Sequence, residues 1–140
     1  MADDVDVLVV EDSDEARRLL VMILSAAGRS VATATTGLEA IGLLREEGLR
    51  PGLIVLDMQL PKMSGLDVVQ EIRRAPELRD LRVLALTAHA MPGDPERFIA
   101  AGCNAYLSKP IDTRAFVRHV SALLAGATEI EDDTSHTSET

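Results

Sequence analysis

Cysteine occurs once in this 140-residue chain, as Cys103, and tryptophan not at all. A single thiol rules out a disulfide framework within the chain and fits the reducing cytoplasm better than an oxidising compartment. Aromatic residues make up only 2% of a sequence that is 46% hydrophobic, so the core has to be aliphatic. Missing too is any apolar run of membrane-spanning length, and Met1-Ala2-Asp3-Asp4 lacks the basic start and apolar stretch of a secretion signal. Basic charge is scarce. Lys and Arg number 14 against 23 Asp and Glu, a net charge of −9. That balance argues against a nucleic-acid or anionic-membrane surface, either of which needs a basic patch. The expectation is a soluble cytoplasmic protein with no nucleic-acid and no membrane partner.

Part of the acidity is local. Residues 127–140 hold Glu129, Glu131, Asp132, Asp133 and Glu139 and no Lys or Arg, so 18 acids and 14 bases remain elsewhere, a charge of −4. Residues 127–140 therefore read as an acidic, disordered and solubilising tail, and residues 1–126 as one domain with a single core.

Within residues 1–126, five short apolar runs alternate with five stretches of helical spacing. Val5 to Val10 is a first strand, and Ser13 or Asp14 caps a helix whose apolar side is Ala16, Leu19, Leu20, Ile23, Leu24 and Ala27. Ser30 to Ala34 is a weaker strand. Thr36 and Glu39 form a capping box for a helix with Leu38, Ile41 and Leu43 or Leu44 inward. Leu53 to Asp57 is the third strand, and Ser64 caps a helix burying Leu66, Val69 and Ile72. Arg82 to Thr87 is the fourth, followed by a short helix with Asp94 as N-cap and Pro95 first inside it. Ala105 to Ser108 is the fifth, and Asp112 caps a last helix with Phe116, Val120, Leu123 and Leu124 on one face. Strands alternating with helices across short loops predict an α/β fold: a doubly wound parallel sheet of five strands covered on both faces.

In such a sheet the C-terminal strand ends share one rim, where ligands bind. Here they carry Glu11-Asp12, Asp57, Thr87 and Lys109. Each has a plain reading alone: a solvated helix start, a turn cap, a strand residue, a surface charge. Four polar strand ends on one rim outweigh those readings. Three carboxylates this close repel, since two charges 4 Å apart cost about 4 kcal/mol at an effective dielectric of 20. A cation between them relieves that, and oxygen ligands without His or Cys select Mg²⁺. Lys109 adds positive charge and Thr87 a hydroxyl, so the set suits a phosphoryl group on or near Asp57 as nucleophile.

The motifs Val10-Glu11-Asp12-Ser13, Leu56-Asp57-Met58-Gln59-Leu60-Pro61, Met63-Ser64-Gly65, Leu86-Thr87-Ala88 and Lys109-Pro110 resemble those of two-component response-regulator receiver domains, from about Val5 to Gly126. Thr87 to Asp94 and Ala101 to Pro110 are similar to DivK-type single-domain receivers and to receivers of hybrid histidine kinases. The resemblance implies a flavodoxin-like (βα)5 sheet of order 2-1-3-4-5. It implies a switch protein, not an enzyme, in which Asp57 takes phosphate from a sensor histidine kinase or a histidine phosphotransfer protein. Asp12, Asp57 and the backbone carbonyl of Gln59 would hold Mg²⁺, with Glu11 supporting through water. Lys109, before a cis Pro110, would pair with the phosphoryl oxygens. Thr87 and Tyr106 would act as the switch, signalling to a downstream protein through helix four, strand five and helix five. Glu-Asp stands where many members carry Asp-Asp, and Pro92 and Pro95 stiffen the start of helix four.

Other readings carry less. His89, His119 and His136 do not cluster, and surface solvation is expected for each. An aspartyl-phosphate phosphatase would need Asp-x-Asp after the first strand and room for a cap domain. A flavin binder would need a phosphate-cradling loop there, which Glu11-Asp12 would repel. A receiver cut from a hybrid histidine kinase would read identically, although Met1 so near the first strand favours a complete small protein.

Overall fold

The computed structural model describes residues 4–88 and 91–127. Strands and helices alternate as expected: β1 (Asp4–Val10), α1 (Asp14–Ala26), β2 (Val31–Ala34), α2 (Gly37–Arg45), β3 (Arg50–Asp57), α3 (Gly65–Arg74), β4 (Arg82–Thr87), α4 (Asp94–Ala101), β5 (Ala105–Ser108) and α5 (Thr113–Leu124). All pairings are parallel, and the strand order is β2-β1-β3-β4-β5. The order reverses between β1 and β3, so the crevice beyond their C-terminal ends lies where Glu11, Asp12 and Asp57 follow.

Alternation along the strands separates two aliphatic cores. Leu8, Val10, Ile54, Leu56, Val83 and Ala85 face α2, α3 and α4, where Leu44, Val69, Ile72 and Phe98 cover them. Val7, Val9, Leu53, Val55, Leu84 and Leu86 face α1 and α5, under Leu20, Leu24, Phe116 and Leu123. At about 1.5–3 kcal/mol for each fully buried side chain, this burial is the main stabilising term. Caps set where the helices begin. Ser13 Oγ accepts from Ala16 N at 3.2 Å, and the Asp112 carboxylate accepts from Arg114 N at 2.9 Å. Ser64 and Asp67 complete a reciprocal capping box on α3, and such a cap is worth about 1 kcal/mol.

Several expected positions differ. Leu38 is 72% exposed, and Gly37, Ala40 and Leu44 take the inner line of α2. A Cβ on Gly37 would come within 2.8 Å of Val68 Cγ2, so the bare backbone lets α2 close on α3 and turns Leu38 outward. Leu19 is also exposed, and Ala27 is an exposed C-cap. The N-cap of α4 is Gly93 in the left-handed region (φ 91°), and Asp94 is the first helical residue, its carboxylate accepting from Met91 N at 2.9 Å. Glu39 reaches back to Thr35 N at 2.7 Å, one residue before the N-cap Thr36.

His119 corrects the expectation of a solvated side chain: it is 2% exposed, because it shares the inner face of α5 with Ala115, Phe116, Val120 and Leu123. Its Nδ1 lies 2.8 Å from Ala115 O, and its Nε2 has no hydrogen-bond partner among the described residues. The expectations for His89, for His136 and for all of the tail beyond Ala127 lie outside the described residues.

Candidate functional site

Asp57 ends β3 at 3% exposure, held by hydrogen-bonded strands on both sides. Its Oδ1 accepts from Gln59 N at 2.9 Å, and its Oδ2 is 3.6 Å from Lys109 Nζ. Glu11, one residue past β1, is buried at 1% exposure. Lys109 Nζ donates to its Oε1 at 3.0 Å and Ser13 N to its Oε2 at 3.2 Å. Continuing each strand's alternation puts Glu11, Asp57 and Lys109 on the α1/α5 side, which explains why one lysine reaches both acids. The Lys109-Pro110 peptide is cis, and Lys109 N donates to Thr87 O at 2.7 Å.

Asp12 is exposed and forms the open side of the group. One oxygen from each of Glu11, Asp12 and Asp57 lies within 4.8 Å of the others. The electrostatics follow from this crowding. Burial raises the Glu11 carboxyl above the ordinary value, and Asp57 pushes it further up, while the Lys109 and Ser13 hydrogen bonds oppose the rise. Burial alone would lower the Lys109 ammonium, but its hydrogen bond to Glu11 and the nearby Asp57 charge outweigh it and hold lysine above its usual range. Lys109 is therefore a fixed positive charge at neutral pH. The donor set is all oxygen, with two buried carboxylates, one solvent-facing carboxylate and a lone ammonium beside them. It fits a hard divalent cation such as Mg²⁺, which keeps several waters.

Thr87, fully buried, closes the site from β4. Sequence reasoning misses what it touches. The Gln59 side chain crosses from the loop after β3: its Nε2 donates to Thr87 Oγ1 at 3.0 Å, and its Oε1 accepts from Ala88 N at 2.9 Å. One amide thus occupies two polar groups beside Asp57. No spacing signals this, since any polar residue fits an exposed loop; only the resemblance singles Gln59 out, and through its backbone carbonyl.

Tyr106 stands one strand further, opposite Ala85 in register and on the face that Thr87 shares. It is half-buried and packs against the core under α2, α3 and α4. Beyond Asp57 the chain turns tightly into α3. A Cβ on Gly65 would lie 2.9 Å from Asp57 O and 2.7 Å from Met58 Cα, so only glycine fits where the helix start meets the end of β3.

Thus Glu11, Asp12, Asp57, Thr87, Gln59 and Lys109 meet at one rim, while Tyr106 lies behind it. No described helix is long and apolar enough to cross a membrane. Known proteins resemble the chain in sequence and in fold. The chain is 41% identical over 121 residues to the polar-differentiation response regulator DivK of Brucella anthropi, a match covering 86% of this chain and 97% of that one. The DivK of Brucella ovis is 40% identical over the same length. Among solved structures, the signal receiver domain of a signal transduction histidine kinase from Syntrophus aciditrophicus has a TM-score of 0.79 and 31% identity, covering 91% of this chain and 95% of that one. The chemotaxis response regulator CheY4 of Vibrio cholerae has a TM-score of 0.75 and 27% identity, covering 88% and 99%. Residues 7–121 match the response regulator receiver domain itself. With its five-stranded 2-1-3-4-5 sheet and its acidic rim, the chain belongs to the receiver domain family of two-component signalling.

Proposed function

We propose that the chain is a phosphorylation switch in which Asp57 accepts a phosphoryl group and a protein-binding face responds. The observation that carries this reading is the buried Asp57 carboxylate, packed with Glu11 and Asp12 and facing the Lys109 ammonium at 3.6 Å. A donor phosphohistidine, on a sensor histidine kinase or a histidine phosphotransfer protein, would present its phosphorus to Asp57. A carboxylate oxygen forms the new O–P bond as the N–P bond breaks, and the imidazole leaves with that electron pair. Lys109 meets the incoming phosphoryl oxygens, which draw it away from Glu11. Asp12, Asp57 and the Gln59 carbonyl would hold Mg²⁺, with Glu11 supporting through water. When bound, the ion neutralises charge on the phosphoryl oxygens.

Thr87 then turns its hydroxyl toward the phosphoryl group, which requires the Gln59 amide to release it. Space vacated near Thr87 lets Tyr106 move inward, and the change reaches α4, β5 and α5. The chain catalyses only its own phosphorylation and dephosphorylation and works in the cytoplasm through a downstream protein. A second reading, a receiver belonging to a hybrid histidine kinase, is favoured by the likeness to the Syntrophus kinase domain; the chemistry at Asp57 is the same in both.

Backbone amide spectra test the switch. With Mg²⁺ and acetyl phosphate, the amides of Thr87, Tyr106 and α4 through α5 should shift, and in Asp57→Asn they should stay put. Shifts confined to the Asp57 rim would contradict the coupling to the α4-β5-α5 face.

A further inference from the structure

At the pole opposite Asp57, where β4 begins, a cleft of about 470 Å³ is lined by Arg73, Arg79, Asp80, Arg82, Gly102 and Asn104. Three guanidinium groups face one carboxylate, and none of the three forms an ion pair within 4.0 Å among the described residues. Arg73 is fixed rather than neutralised. Its N–H groups go to the carbonyls of Gly102 (2.6 Å), Leu81 (2.6 Å) and Arg79 (2.9 Å) and to Asn104 Oδ1 (3.2 Å), so its charge is held in place by neutral oxygens. Arg79 is exposed, with its side chain open to an incoming group.

The described chain ends at the same place. Arg82 Nε donates to Ala127 O at 2.7 Å and its Nη2 to Gly126 O at 2.9 Å, so a cleft residue grips the point where α5 gives way to the acidic sequence. Four carboxylates follow at once, Glu129, Glu131, Asp132 and Asp133, with no basic residue among them. At about 3.3–3.6 Å per residue, Glu129 can reach roughly 7 Å from Ala127 and Asp133 roughly 20 Å. Guanidinium groups pair with carboxylates in two-point contacts, which exposed Arg79 is open to make, while Arg73, its N–H groups all engaged, contributes its charge. A tether this short presents the acids at an effective concentration of millimolar order.

We propose that this arginine cleft is the docking site for the chain's own acidic segment, residues 129–133. The contact is electrostatic and intramolecular, and it draws the tail's charge to the pole away from Asp57. It does not depend on phosphorylation at that site.

A nitroxide on Ser135→Cys in the full chain reads the contact. Cys103 is buried, and burial pushes its thiol up to about 12, so the reagent is directed to the introduced position. At low salt the amides of Arg79, Asp80 and Asn104 should relax several-fold faster than those of Asp12, Lys62 and Ala88 at the other rim. The difference should fall several-fold at about 0.5 M salt, where screening shortens to a few ångströms, down to the level that the tether at Ala127 leaves by itself. It should fall to the same level when Glu129, Glu131, Asp132 and Asp133 are changed together to their amides. Arg79→Gln, an exposed change, should weaken it several-fold while amides remote from the cleft keep their positions. Equal relaxation at both poles, or relaxation at the cleft that neither salt nor neutralising the acids lowers, overturns the proposal. So does broadening seen only between a nitroxide-bearing chain and a separate isotope-labelled chain, which would assign the cleft to a second copy.

Discussion

Gln59 shows how much a single side chain decides at this rim. Its amide satisfies the Thr87 hydroxyl and the Ala88 N–H together, and in the proposed switch the Thr87 hydroxyl must leave it to reach a phosphoryl group on Asp57. Two neutral hydrogen bonds contribute about 1 kcal/mol each to the resting arrangement. Gln59→Ala should therefore shift the unphosphorylated chain toward its switched state by up to about 2 kcal/mol, roughly thirtyfold. The check is the amide positions of Thr87 and Tyr106 in the variant without a phosphodonor, which should move toward those of the phosphorylated chain. Unmoved positions would show that Gln59 does not hold the switch. Glu11, Asp12, Asp57, Thr87 and Lys109 are legible from sequence because an apolar strand that ends in a polar residue delivers it to the ligand-binding rim. The reach of Gln59 is not, because it depends on how two loops meet across the sheet. His119 is half legible: its spacing from Phe116 and Leu123 puts it on the inner face, but histidine has no fixed burial preference.

Among the elements, the join of β3 to α3 carries the tightest constraint. Asp57 is rigid because its strand is paired on both sides and because the next helix starts against it at Gly65. Gly65→Ala would drive a methyl into Asp57 O and Met58 Cα, and overpacking of this kind costs about 1–3 kcal/mol. Urea unfolding should show that loss, with reduced phosphoryl uptake as the strand end moves; unchanged stability would mean the turn can relax. A similar close approach explains why periodicity misplaces the inner line of α2. Hydrophobicity favours Leu38 over a glycine, yet Gly37 is inner because Val68 stands where its side chain would be. Strands and caps are readable, since branched aliphatic runs and Ser13, Thr36, Ser64 and Asp112 act locally. The sequence places the cap of α4 one residue late, because Gly93 in the left-handed region begins the helix before Asp94 can cap it.

At the scale of the whole molecule, a parallel sheet sends every strand's C-terminal end to one rim and every N-terminal end to the other. Acids and Lys109 gather at the first, and an arginine cleft beside the end of α5 lies at the second. Two mainly aliphatic cores clamp the sheet between them, each with one phenylalanine, Phe98 or Phe116, so the strand ends hold their spacing without disulfide or tryptophan. Fold class is legible from alternation alone, whereas the strand order rests on the family resemblance, because pairing of β1 with both β2 and β3 leaves no mark in one sequence. The central claim is that this rim makes Asp57 a phosphoryl acceptor. Intact-protein mass after incubation with Mg²⁺ and acetyl phosphate tests it most directly. The wild-type chain should gain the mass of one phosphoryl group and Asp57→Asn none; no gain in the wild type, or an equal gain in the variant, would contradict it.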